Sequence, residues 1–500
     1  MKKMNLLVMS LVSAAALSFS SCSSNDDLGG GAGTQSQVKG FYMTLAVQTP
    51  TSNGTRTSIE NPIPTEDATA VEAAVKTGTF YLVDSKGTVV FSKTLTAQDW
   101  SGAVKDQADS KKDGRTTLQI QVENVAAGAT YKVYFKAGST AMDGVSEPVA
   151  AGTTGIFTAT GIEKTFTAAA AFDKTCAGDN NFSMFNQNDE TTKGNAYTVQ
   201  FTDENKVAAT PAKVKYNNVE SAIKIERVTA RVDVPTSATT LTTEELPSTA
   251  SQALKNAVAD AKKKVDNIQL VSYALSNVTN KTYVMQTWID KNLTIPEGVT
   301  LSQPKTAFGT KYLLDATCFK PLATATNDYI FENNKAGEEA TAMYFQYKVT
   351  LKTSEFEGKA DFEDGTFYRY NNVIYTSFAQ IYKAYADVAG LFEGKTAEEM
   401  KTAAKTASAT EADLAAFREK YQIEVFKGGM TYYKQVITDK QLGKDVIQRN
   451  TIYRLNVNKI FNVGAQVPNG EIDKNGLFYL DVTVTVNPWV LNTQDVTLGD

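Results

Sequence analysis

Two short stretches of this 500-residue chain hold residue types that could do chemistry. The run Gly390-Leu391-Phe392-Glu393-Gly394-Lys395-Thr396 comes closest to a phosphate-cradling loop. Such a loop needs four residues between its glycines, so that backbone N–H groups can wrap the anion. Here three intervene, Ala389 stands where the first glycine belongs, and Glu393 would repel a phosphate. The run reads as a turn between helices. The second stretch is Asp361, Glu363 and Asp364 ahead of Gly365. Carboxylates around a glycine turn can hold calcium, but the ligand spacing of an EF-hand is missing. A solvated hairpin turn is the reading there.

The rest of the composition narrows the chemistry further. The chain has no histidine. That excludes Ser-His-Asp and Cys-His catalysis, and any zinc site that needs imidazole. Lys+Arg is 50 against Asp+Glu 55, a formal net charge of −5. Nucleic-acid binding needs a concentrated basic face and gains no support from this balance. No enzymatic activity, cofactor or metal is expected.

The N-terminus reads as an address. Lys2 and Lys3 precede the apolar stretch Leu6 to Phe19, too short for a stable bilayer-spanning helix of roughly 20 residues. Phe19-Ser20-Ser21-Cys22 follows, and small residues before a thiol resemble a bacterial lipobox, in which the cysteine is acylated. A usual lipobox has Leu where Phe19 stands. An ordinary secretory signal with an incidental cysteine is the other reading. Ser23 to Gly33 is polar and Gly-rich, a flexible tether. Its acidic pair, Asp26-Asp27, resembles the surface-export signal of lipoproteins in certain Gram-negative anaerobes. Export would permit a disulfide between Cys176 and Cys318, and two buried free thiols remain the other option.

The elements beyond the tether are mostly strands. Phe41, Met43, Leu45 and Val47 alternate with polar or small residues, the period of a half-buried strand. Pro50 to Pro62 is an exposed loop with a single basic residue, Arg56. Phe80–Val83 and Thr88–Phe91 flank a turn as a hairpin, and Leu118–Val122, Tyr131–Lys136 and Tyr197–Phe201 are further strands. Asp179 to Glu190 reads as a loop packed by its apolar residues. Ala222 to Val234 reads as one long strand with an irregularity near Glu226-Arg227, and the main domain boundary is expected over Pro235 to Thr249. A helix is predicted over Ser251 to Val265, then strands at Ile268–Leu275, Thr282–Gln286 and Ala342–Leu351, with a turn between Leu275 and Lys281. Phe378 to Tyr421 is predicted to be a helical insertion, with capping-box spacings at Thr396/Glu399 and Ser408/Glu411. Strands resume at Gly429–Val436, Asn450–Ile460 and Leu477–Val486. This spacing suits two β-sandwiches.

Two features at opposite ends of the chain stand out. The first is the alternating strand Phe41 to Val47 followed closely by Arg56. The second is the unbroken alternation of Phe478, Leu480, Val482, Val484 and Val486, which Pro488 and Trp489 are expected to end, leaving an arm from Val490 to Asp500. From composition alone both read as ordinary edge strands.

A family resemblance changes that reading. Asn450-Thr451-Ile452-Tyr453-Arg454-Leu455-Asn456-Val457-Asn458-Lys459-Ile460, a spacer, then Val482-Thr483-Val484-Thr485-Val486-Asn487-Pro488-Trp489 resembles the C-terminal signature of Mfa-type fimbrillins. These are major shaft subunits of protease-assembled type V fimbriae. Ile225-Glu226-Arg227-Val228-Thr229-Ala230-Arg231-Val232 is similar to the family's Glu-Arg-x-x-Ala-Arg strand.

The resemblance implies a mainly β fold of two transthyretin-like, Greek-key β-sandwich domains with short helical insertions. The implied division is a lipoprotein signal at 1–21 and a propeptide at 22–56. An N-terminal domain at 57–235 and a C-terminal domain at 236–500 follow, with a helical insertion at 378–421 and a donor region at 477–500. It implies lipidation at Cys22 and cutting between Arg56 and Thr57 by an Arg-specific surface protease. It makes Phe41, Met43, Leu45 and Val47 a removable strand. The donor region would include Phe478, Leu480, Val482, Val484 and Val486, together with Trp489, Leu491, Val496 and Leu498. Partners would be further copies of the chain and the anchor and tip subunits of a fimbria supporting adhesion and biofilm formation. The outer membrane would hold the precursor through a transient lipid anchor. A tip adhesin of the same fimbria and a surface glycan-binding lipoprotein are the alternatives.

Overall fold

A computed structural model describes residues 40–48, 66–69, 72, 75–101, 104–105, 115–168, 176–178, 181–188, 196–290, 292–302, 305–308, 311–314, 316–356, 363–405, 408–439, 442–468 and 480–491. Cys22, Arg56, Thr57, Asp361, Phe478, Val496 and Leu498 lie outside them. The fold is mainly β.

The larger sheet has a continuous path of strands. From one edge it runs Val219–Glu220, Lys215–Tyr216, Thr198–Gln200, Thr130–Ala137, Met184–Asn186, Ile223–Arg227, Phe41–Gln48, Arg115–Val122, Val104–Lys105. The expected hairpin forms as Gly78–Val83 with Val89–Leu95 and joins through Thr130–Ala137. Asp84 closes its turn, accepting from the Lys86 and Thr88 amides at 2.8 Å each. A second sheet is ordered Glu66–Ala68, Leu480–Leu491, Thr451–Ile460, Ala230–Val232, Asp328–Ile330. A third has Ala342–Leu351 between Val265–Ser276 on one edge and Met430–Val436 on the other.

Several expectations are corrected. The long strand expected over Ala222 to Val234 is two strands, Ile223–Arg227 and Ala230–Val232, broken at Val228-Thr229. The chain changes sheets at that break, and Ile223, Ile225, Val228, Ala230 and Val232 are all buried with a change of phase between Ile225 and Val228, so a single flat strand would leave some of them in water. Within Asp179 to Glu190, Met184–Asn186 is a strand paired on both edges, because Phe185 and Met184 face cores on opposite sides of the sheet. No simple turn links Leu275 to Lys281: Val278–Thr279 pairs with Leu301–Ser302, and Lys281–Tyr283 with Thr165–Thr167. Pro488 and Trp489 do not end the C-terminal strand, which runs Leu480–Leu491. Pro488 stands at the last rung against Thr451, where a missing N–H costs the ladder least.

The helical insertion forms as Phe378–Ala384, Ala397–Ala404 and Glu411–Tyr421. Thr396/Glu399 is a true capping box. The other box is Thr410/Asp413, not Ser408/Glu411. Lys405 takes a left-handed cap, which leaves Ser408 in the turn and makes Thr410 the first residue able to bond the free amides. The glycine run at 390–394 is a turn between helices, with Phe392 at φ 51°. Glu363–Gly365 is a short 3₁₀ turn. Ser251 caps the helix Gln252–Lys264.

The two halves interlock. Ile452 reaches the core beneath the first strand, and Val284 and Phe331 join the cluster around Tyr134 and Phe185. Arg449 is fully buried at this join. It pairs with Glu332 at 2.7 Å and donates to the Val284 carbonyl at 3.0 Å and the Thr282 hydroxyl at 3.1 Å. Replacing Arg449 by Met leaves Glu332 an unpaired buried charge. Arg449→Met should therefore lower stability by about 3–5 kcal/mol. An unchanged melting temperature would contradict that role.

Candidate functional site

The first strand, Phe41–Gln48, is interior to its sheet. On one edge it pairs antiparallel with Arg115–Val122 along its whole length, from Phe41 opposite Val122 to Gln48 opposite Arg115. On the other it runs parallel to Ala212–Lys213 and to the start of Ile223–Arg227. Phe41, Met43, Leu45 and Val47 are all buried, as the alternation predicts, and Ala46 is buried on the opposite face. The Phe41 ring meets Phe201 edge-on at 5.5 Å. A strand so placed satisfies donors and acceptors on two neighbours at once. Its loss would expose both edges and an apolar trough.

The C-terminal strand, Leu480–Leu491, lies in the second sheet. It pairs antiparallel with Thr451–Ile460, from Ile460 opposite Leu480 to Thr451 opposite Pro488, with one irregularity between Val457 and Lys459. This places Leu480, Val482, Val484, Val486, Trp489 and Leu491 on one strand. It does not bring them together with the first strand: the two lie in different sheets. The outer edge carries Glu66–Ala68 in parallel, with Glu66 opposite Trp489 and Ala68 opposite Leu491.

Just beyond Glu66–Ala68 comes a buried charge cluster. Glu72 is 3% exposed. Its carboxylate accepts from Arg231 Nη1 at 3.1 and 3.0 Å, from the Tyr329 hydroxyl at 2.8 Å and from the Thr69 amide at 2.8 Å. Its backbone carbonyl accepts from Arg227 Nε at 2.9 Å. Arg231 also binds Asp233 at 2.7 Å, and Asp233 accepts from Arg454 at 2.6 Å. Both arginines of the Glu226-Arg227-x-x-Ala230-Arg231 stretch thus converge on one residue. They flank the point where the chain changes sheets. Sequence reasoning missed Glu72, although Thr69-x-x-Glu72 has the capping-box spacing that the structure realises.

Burial favours the neutral form of Glu72, but the Thr69 amide, the Arg231 charge and the Tyr329 hydroxyl outweigh it, so its pKa falls below the ordinary 4.5. Burial pushes the Arg227 guanidinium down to about 9, which still leaves it cationic at neutral pH. Cys176 and Cys318 are not joined in a disulfide; Cys176 is buried, which raises its thiol to about 12, while Cys318 is half-buried rather than buried as expected. Among the described residues no group of three or more Cys, Asp or Glu could hold a metal ion, and no helix is long and apolar enough to cross a membrane.

A lowered carboxyl contributes stability that is complete above its unfolded-state pKa and is lost as pH falls through the folded one. The melting temperature should therefore drop as pH is taken below 4.5, the ordinary glutamate value. Glu72→Gln should lower the melting temperature at neutral pH and make the acid drop shallower. An equally steep drop in the variant would assign the acid sensitivity elsewhere.

Residues 424–495 match the family described as major fimbrial subunit protein type IV, fimbrillin, C-terminal. No curated protein sequence matches the chain significantly. Among solved structures, a candidate cell adhesion protein from Parabacteroides distasonis ATCC 8503 is similar at 12% identity and TM-score 0.43, covering 91% of this chain and 99% of that one. A fimbrial assembly protein from the same organism is similar at 10% identity and TM-score 0.29, covering 63% and 84%. Likeness at this level leaves function to the chain's own geometry and to the family match. The matched residues contain both strands of the pair Thr451–Ile460 and Leu480–Leu491. Over residues 424–495, therefore, the chain is similar to the fimbrillin C-terminal family.

Proposed function

We propose that the chain is a non-catalytic shaft subunit of a cell-surface fimbria, polymerising head to tail by protease-triggered donor-strand exchange. The precursor reaches the outer membrane as a lipoprotein acylated at Cys22. An Arg-specific surface protease cuts between Arg56 and Thr57. The first strand then leaves, and the C-terminal strand of a second copy takes its place. Repetition of that joint gives an open filament, with anchor and tip subunits at its ends.

The observation that carries this reading is the interior position of Phe41–Gln48, paired on both edges. While the strand remains tethered, its effective concentration at its own groove is on the order of millimolar or more, and an outside strand loses the competition. Cutting removes the tether. Four core side chains at about 2 kcal/mol each represent roughly 8 kcal/mol of gross apolar burial that the vacated groove can offer. An incoming strand must alternate as the first one does. Phe478, Leu480, Val482, Val484 and Val486 do so.

Two measurements test the reading. N-terminal sequencing of subunits from purified surface fimbriae should find Thr57 first. Subunits still beginning at acylated Cys22 would overturn it. Arg56→Ala should leave folded, lipid-bearing monomers at the surface, and filaments built from that variant would argue equally against it.

A further inference from the structure

The last three residues of the C-terminal strand lie beyond its ladder with Thr451–Ile460. That ladder ends at Thr451 opposite Pro488. Trp489, Val490 and Leu491 pair instead with Glu66, Asp67 and Ala68. Among the described residues, this parallel rung is the backbone pairing that holds the C-terminal end of the strand. A strand opens from its ends, because each residue released there breaks the fewest bonds.

Three residues of parallel pairing are weak alone. This one has an anchor immediately behind it. Thr69 and Glu72 bond reciprocally, and Glu72 is held by Arg231, Tyr329 and Arg227 from strands of both sheets. Arg231 and Tyr329 sit opposite each other on neighbouring strands of the second sheet, so the anchor is fixed to the same sheet as the C-terminal strand.

We propose that Glu66–Ala68, pinned by Glu72, is a clasp that keeps the C-terminal strand in its own sheet, and that opening this clasp releases the strand to a second copy of the chain. The proposal rests on the strand-exchange reading above and adds its regulation. Before cutting, the clasp is tied covalently on both sides: to the first strand, which is fixed in the larger sheet, and to Glu72. A cut between Arg56 and Thr57 leaves it in a short N-terminal arm that begins at Thr57 and is tied covalently only through Glu72. Losing one tether lowers its effective concentration at the edge of the C-terminal strand. One proteolytic event would thus empty the acceptor groove and loosen the donor strand together. Subunits would stay inert on both sides until they are cut.

Two experiments decide this, and the first needs no polymerisation. In the uncut chain, Glu72→Gln should speed hydrogen exchange at Trp489–Leu491 by about tenfold or more while Phe41–Gln48 keeps its protection. Unchanged exchange at Trp489–Leu491 overturns the clasp. Should the variant lose protection throughout, the second experiment decides. Asp67 and Val490 are register partners, and the double substitution D67C/V490C puts a disulfide across the clasp without touching Glu72. After cutting, the oxidised protein should stay monomeric and the reduced protein should polymerise. Equal polymerisation in both states overturns the clasp and leaves strand exchange standing. A wild-type chain that is cut and never polymerises overturns strand exchange itself, and the regulatory role with it.

Discussion

The backbone of Phe41–Gln48 has both of its edges occupied, and most of the larger sheet is organised around that fact. Arg115–Val122 lies on one side, and two short parallel segments lie on the other. A buried amide or carbonyl without a partner costs about as much as a lost hydrogen bond. The neighbours therefore depend on this strand as much as it depends on them. The unusual point is its position in the chain. It is the first described strand, and it is joined to the rest through the segment that contains the chain's early lone Arg56. A strand of that importance placed next to a candidate cutting site suits a protein built to have it replaced.

The second organising feature is ionic. Arg227, Arg231, Glu72, Asp233 and Arg454 meet where the chain passes from one sheet to the other. Such a cluster is poor evidence of net stability, because desolvating the charges offsets much of their attraction. It is good evidence of specificity. Planar guanidinium groups accept few alternative arrangements, so they fix where the segment at Glu72 sits and how the two sheets are joined. Arg449 with Glu332 does the same at the neighbouring join.

The helical insertion stands apart from this machinery. It carries its own core of Phe378, Ile381, Met400, Leu414, Phe417 and Tyr421. It is attached through the strands Phe367–Tyr370 and Glu424–Phe426, which Arg369 and Glu424 clamp. Phe392 adopts a left-handed conformation there, a strain offset by edge-on contacts with Tyr370 and Tyr382.

Much of the local structure was legible in the sequence, because its causes are local. Alternation marks which face of a strand is buried, so Phe41, Met43, Leu45 and Val47 were readable as one face. Thr396 announced a helix start through a hydroxyl that caps a nearby amide. The break between Arg227 and Ala230 was visible only as an irregularity, a change of phase in the apolar alternation between Ile225 and Val228, since both sheets bury the flanking residues. Which strands pair was not legible. Every strand presents the same N–H and C=O groups along both edges, so sequence can say that a strand exists without naming its neighbours. Glu66–Ala68 against Trp489–Leu491, and Glu72 beneath two arginines, join residues that are far apart in the chain, the nearest pair separated by 155 positions. Only the folded chain decides such pairs, because their partners are chosen by the packing of everything between them.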